Sequence, residues 1–210
     1  MHADFAAVRR GQLPYAEAVR GLDRAALVAL TADSYDDIGE IVTGVTDSGV
    51  IAVPIDPSLD DRQAGEEAWT LGHVVAHLTA TSEAAAALAA TLARGVTLPA
   101  GLHLRAEVPW RDIATARQLT ARLAESRRIC LAFLDTWPDV PHLELTVALT
   151  PAYGPLHAVG IHALGLMHAD EHLTQLRQLM RQMSNQGHAR EVGQQPLPGS
   201  RPAAVRSGGS

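Results

Sequence analysis

The sequence predicts an all-α protein, a bundle of four long helices with a small β-hairpin in the connections. Three observations carry that prediction. The chain is Ala-rich with only 4% aromatic residues, a composition that favours helix over sheet. Four segments repeat apolar residues at spacings of three, four and seven. One connection is much longer than the others, as in a bundle with a crossover. With 210 residues, 47% of them hydrophobic and 19% charged, the chain can bury one real core and so offset its ordering entropy.

The first predicted helix covers residues 14–30, with a break near Gly21. The second opens at Thr70, a good N-cap ahead of the apolar face Leu71, Val74, Val75 and Leu78, and continues to about residue 94. The third begins near Asp112 and carries Ile113, Ala116, Leu119, Leu123, Cys130, Leu134 and Trp137 before Pro138 and Pro141 close it. The fourth starts at Pro155, a suitable first-turn residue, and runs to about residue 184. Residues 31–68 are mixed, with a short helix expected over 37–45 and a strand-like run over 50–55 that carries Pro54. The β-tending run 143–149 leaves room for a hairpin. Residues 185–210 shift to Gly, Pro, Ser, Gln and Arg and read as a disordered tail, so the expected domain is 1–184.

Several function classes are excluded by residue type. All 17 basic residues are Arg, so neither a Walker-type phosphate loop nor a Schiff-base enzyme has its Lys. A formal charge of -6 disfavours a nucleic-acid partner, and Arg122, Arg127 and Arg128 read as a solvated helix face. The single Cys130 forms no internal disulfide and no Cys-only zinc site, and its apolar neighbours place it in an inert buried position. No G-x-S-x-G elbow and no G-x-G-x-x-G fingerprint is present. Residues 1–12 lack a signal-peptide design and no run reaches the length of a membrane span, so the chain reads as cytoplasmic, with no membrane partner.

Chemistry concentrates in the histidines. Ten are present; random placement gives about 0.5 pairs at i,i+4, whereas the chain has His73 with His77 and His168 with His172. On a helix such pairs share a face and can converge on one divalent ion. His168 and His172 share theirs with Ile161, Leu164, Leu176 and Leu179, so the pair points into the core. Two neutral imidazoles there need hydrogen-bond partners or a metal, and spacing alone does not choose between these. A metal needs a third ligand, which His73 or His77 on the second helix can provide. His73 falls at the third helical position, where the helix dipole disfavours its cation. His157 lies eleven residues before His168, about 16 Å along the axis, too far to share an ion. His2, His103, His142 and His188 fall in ends or loops.

These residues carry a family resemblance. Trp69-Thr-Leu-Gly-His-Val-Val-Ala-His77-Leu resembles the second-helix signature of the DinB/YfiT-like superfamily, a Trp followed eight residues later by a ligand His. His168-Ala-Asp-Glu-His172-Leu-Thr-Gln175 is similar to its last-helix signature, and Tyr153-Gly154-Pro155 to the lead-in to that helix. The resemblance spans roughly residues 14–183. It implies a four-helix bundle holding one divalent metal through His77, His168 and His172, in a homodimer. It also implies a small-molecule substrate, in hydrolysis or in S-transfer with a low-molecular-weight thiol such as bacillithiol or mycothiol. The chain departs from the pattern at His73, where an acidic or small residue is more usual. Three His ligands leave an open coordination position, the pattern of a catalytic site. Zn²⁺ and Ni²⁺ both suit imidazole.

Two rival readings remain to be weighed. His168-Ala-Asp-Glu171-His172 matches the inverzincin pattern with Glu171 as base, but only Glu191 offers a carboxylate side chain downstream for the further ligand. Glu171 therefore reads as solvated or as support for a ligand; Glu66 and Glu67 lie near the motifs with no assigned role. The second rival is a non-catalytic bundle that keeps the metal as a structural staple or serves as an interaction module.

Overall fold

Asp23, Thr70 and Thr115 each accept a hydrogen bond from the backbone N–H three residues on, at 2.8, 3.3 and 3.2 Å, and each opens a long helix. The structure, a computed structural model, describes residues 3–54, 68–99, 102 and 107–193. In order these form α1 (Phe5–Arg9), α2 (Tyr15–Ala18), α3 (Arg24–Ile41), α4 (Asp47–Val50), α5 (Leu71–Ala93) and a 3₁₀ turn (Trp110–Asp112). They continue with α6 (Ala116–Asp135), β1 (Val147–Ala148), β2 (Pro155–Leu156) and α7 (Ala158–Gly193). The fold is mostly helical, with one antiparallel two-stranded sheet pairing Val147 with Leu156 and Ala148 with Pro155.

The four long helices close a ring: α5 packs on α6 and α7, and α3 packs on the same two. Helix α5 buries 18 of its 23 residues, so it is covered on nearly every side rather than along one stripe. Its small residues let α7 come close. A Cβ at Gly165 would lie 2.7 Å from Cβ of Ala85, so the two backbones meet there as no larger residue allows. Leu27, Leu92, Leu134 and Ile161 fill one end of the core, and Ile38, Leu71, Leu119 and Leu176 the other.

The structure corrects several expected boundaries. The break near Gly21 is present, with φ at +78°, but the next helix does not stop at Leu30. It runs to Ile41 and absorbs the first half of the short helix expected at 37–45, because Thr31 and Tyr35 continue the buried stripe of Leu27 and Ile38; residues 42–45 are not helical. Val50 ends α4 instead of starting a strand, since Thr46 caps that turn by accepting from the Gly49 N–H at 3.2 Å. Ile55 lies outside the described residues. The third helix starts at Ala116, not Asp112, which belongs to the 3₁₀ turn. Pro155 is a strand residue, and α7 opens after it with the His157 imidazole accepting from the Gly160 N–H at 3.4 Å. Burial lowers the His157 pKa, which favours the neutral acceptor form. At its other end α7 runs on to Gly193, nine residues past the expected helix end at 184, and the rest of the expected tail lies outside the described residues.

Arg122 is not on a solvated face. It pairs with Glu83 and donates from Nε to Thr79 Oγ1 at 3.2 Å, while Arg127 pairs with Asp36 and Arg128 with Glu125. Cys130 is buried beside Tyr35, and burial pushes its thiol pKa up. Among the described residues no helix is long and apolar enough to cross a membrane.

Candidate metal centre

Close approach of α5 and α7 brings His77 against His168 and His172. The three rings sit mutually edge-on, with centroids 4.9 Å apart for His77–His168, 5.1 Å for His77–His172 and 4.7 Å for His168–His172. One ring nitrogen from each lies within 4.8 Å of the other two, a grouping that could hold one metal ion. His77 and His172 are buried, and His168 is half-buried at the edge.

The outer nitrogens define the inner ones. His77 Nδ1 lies 3.0 Å from Glu107 Oε1, and His172 Nδ1 lies 2.7 Å from Gln175 Oε1. A carboxylate oxygen and a carboxamide oxygen only accept, so both rings carry a proton on Nδ1, and in their neutral form the lone pair is on Nε2. His168 Nδ1 faces Glu171 Oε2 at 3.7 Å. Attraction to that imidazole is the chief reason the Glu171 carboxyl sits below the usual carboxylate range. Inside the cluster, Nε2 of His168 and Nε2 of His77 are 2.9 Å apart. Two lone pairs repel at that distance unless a proton or a cation lies between them. Two imidazole nitrogens bound to one ion are separated by about 3.0–3.4 Å, given metal–nitrogen bonds near 2.0–2.1 Å. The donor set is of the kind that suits a divalent ion, and the outer nitrogens of His77 and His172 have the hydrogen-bonded oxygen partners that imidazole ligands use.

His73 does not join the group. Its ring is stacked between Trp69, 4.5 Å away, and Trp110, 4.7 Å away and nearly parallel at 6°. The Arg111 guanidinium lies over the Trp110 ring, 4.3 Å from its centroid. His73 Nε2 also lies 3.9 Å from Glu107 Oε2, so one carboxylate spans both histidines of α5. Trp69 contacts the His77 ring at 4.6 Å as well and walls the cluster on that side.

Of the other histidines, His157 caps α7 and His142 pairs with Glu144 at the surface. Sequence reasoning passed over two residues that the structure makes prominent. Glu107 sits in a connection with no periodicity, where nothing in the sequence singles it out. His162 is buried on α7 and bonds Thr31 across the bundle at 2.9 Å. Glu66 and Glu67 lie outside the described residues. A cavity of about 340 Å³ opens beside His168 and Glu171, between α5, α7 and the β1–β2 connection. Comparison of the chain with protein-family models, with curated proteins and with solved structures returns no match.

Proposed function

We propose that this chain is a metal-dependent enzyme in which His77, His168 and His172 hold one divalent ion, Zn²⁺ or Ni²⁺ by donor type. The reaction we assign is S-transfer with a low-molecular-weight thiol, or hydrolysis, on a small-molecule substrate. One observation carries the reading: three imidazoles converge while their Nδ1 atoms face the oxygens of Glu107, Glu171 and Gln175. The closed ring of four helices supports a DinB/YfiT-like assignment, and with it a cytoplasmic homodimer. When bound, such an ion supplies Lewis-acid chemistry that lowers the pKa of water or of a thiol. The chain's own part is to fix the rings. Glu107 and Gln175 set two tautomers, and Trp69 limits access of water from the α5 side.

The test is metal content of tag-free protein by mass spectrometry, with His77→Ala in parallel. The reading expects about one ion per chain, lost in the variant. Absence of metal in the native protein after Zn²⁺ or Ni²⁺ is supplied overturns it. A bound ion that stabilises the fold but admits no thiol would favour the structural staple instead.

A further inference from the structure

We infer that His73 is a positioning residue: its ring seats the segment 107–113 on α5 so that the Glu107 carboxylate reaches His77. What the seating serves, the orientation of a ligand, rests on the metal reading; the seating itself does not. Three contacts follow one another up α5, and each takes an earlier residue of the segment. A Cβ at Gly72 would lie 2.5 Å from the Ile113 carbonyl oxygen, so the two backbones approach there as only glycine allows. One residue on, the His73 ring lies nearly parallel to Trp110, at 6° and 4.7 Å. One turn further, His77 Nδ1 lies 3.0 Å from Glu107 Oε1. The segment thus runs antiparallel to the start of α5, and two contacts set its register short of Glu107.

Those two contacts act as one unit. The Asp112 N–H donates to the Pro109 carbonyl at 2.9 Å and the Ile113 N–H to the Trp110 carbonyl at 3.0 Å, which ties Trp110 to Ile113. On its other face the His73 ring meets the Trp69 indole at 4.5 Å. A flat ring fills the slot between two indoles, where a small or acidic side chain would leave Trp110 without its partner. His73 Nε2 stands 3.9 Å from Glu107 Oε2, beyond hydrogen-bond range. His73 therefore holds the carboxylate through the stack on Trp110 rather than by a direct hydrogen bond. Glu107 in turn keeps a proton on His77 Nδ1 and leaves Nε2 facing His168.

The experiment disturbs the seat from both sides in the full chain, with Gly72→Ala on α5 and Trp110→Ala on the segment. Alanine suits a helix better than glycine does, so α5 should stay intact in the first variant while its Cβ displaces Ile113. One readout needs no metal. In chelator-stripped protein at about pH 8, where imidazole is ordinarily neutral, ¹⁵N–¹H NMR should find the His77 proton on Nδ1 in the native chain. In both variants it should spread over the two ring nitrogens. The other readout is Zn²⁺ affinity by chelator competition, which each variant should lower by about ten-fold. Added to Glu107→Ala, each should cost less than about a further two-fold, whereas independent losses would multiply. His73→Ala should behave as Trp110→Ala does, and His73→Phe, which keeps the flat ring, should stay within about two-fold of native. An unchanged His77 tautomer in both seat variants, or losses that multiply with that of Glu107→Ala, overturns the inference. So does a folded His73→Phe that binds zinc as weakly as His73→Ala. Tautomer shifts in a protein whose native form takes up no zinc would sink the metal reading and keep this one. Zinc uptake indifferent to Gly72→Ala and Trp110→Ala would do the reverse.

Discussion

Helix α7 carries two kinds of buried histidine within three turns. His162 is alone: its Nε2 lies 2.9 Å from Thr31 Oγ1, whose own hydroxyl proton goes to the Leu27 carbonyl at 2.7 Å. The threonine must therefore accept, which places the proton of His162 on Nε2. Burial pushes that imidazole down to a pKa of about 4. Nearly three turns on, His172 holds its proton on the other nitrogen, Nδ1, against Gln175. The same residue type, on one helix and at similar burial, thus turns a donor inward in one case and a lone pair in the other. Burial does not distinguish a core histidine from a candidate ligand; the partner at the outer nitrogen does.

The largest effect should come from exchanging the two kinds. His172→Ala is expected to lower bound Zn²⁺ from about one ion per chain to none, read by mass spectrometry. His162→Gln should leave that stoichiometry unchanged. Metal loss from the second variant alone would invert the comparison. Next in size, Glu107→Ala removes the acceptor that orients His77, and chelator competition should show zinc affinity lowered by about 10–100-fold. An unchanged affinity would mean that Glu107 plays no part in setting the ring.

Gly165→Ala tests the helix approach on which the cluster depends. The added Cβ meets the rigid Cβ of Ala85 at 2.7 Å, so α7 must move outward. A stability loss of about 1–3 kcal/mol in urea unfolding is expected, with zinc affinity reduced alongside. A variant as stable as the native chain would show that α7 relaxes without strain.

The last test separates His162 by pH. Its folded pKa of about 4 lies below the ordinary 6.5, so between these values the unfolded chain binds the proton and the folded chain does not. Stability therefore falls as pH drops through that window, by at most about 1.4 kcal/mol per unit. His162→Gln should flatten that limb in urea titrations. An unaltered acid limb would assign it to other groups, among them His157.

Much of this arrangement could be read before any coordinates. Thr70 and the run to residue 94 announce α5 because a cap, an apolar face and unbroken Ala-rich sequence agree. Spacing put His168 and His172 on the core side of the last helix because i,i+4 geometry is local. The choice of His77 over His73 came from the family resemblance; in the structure the His77 ring clusters with His168 and His172, and the His73 ring stacks on Trp110. What was missed depends on contacts distant in sequence. The continuation of α3 was hidden because Thr31 and Tyr35 are polar by type, yet each is buried with its hydroxyl bonded inside the bundle, Tyr35 to Ser126 at 2.6 Å. Arg122 reads as a surface residue until Glu83 and Thr79 of α5 are placed against it. Pro155 suits a helix start on local grounds, and only its pairing with Ala148 makes it a strand.

Helix α5, wrapped by its neighbours over 18 of 23 residues, has a consequence for how the molecule opens. A helix with one solvent face frays and exchanges its amide hydrogens by local motion. One enclosed on nearly all sides releases them only when the surrounding helices come away together. The slowest-exchanging amides of the chain should then cluster in the middle of α5, and their rate reports the free energy of global unfolding. An ion held between α5 and α7 would slow all of them by one common factor, set by its concentration relative to its dissociation constant.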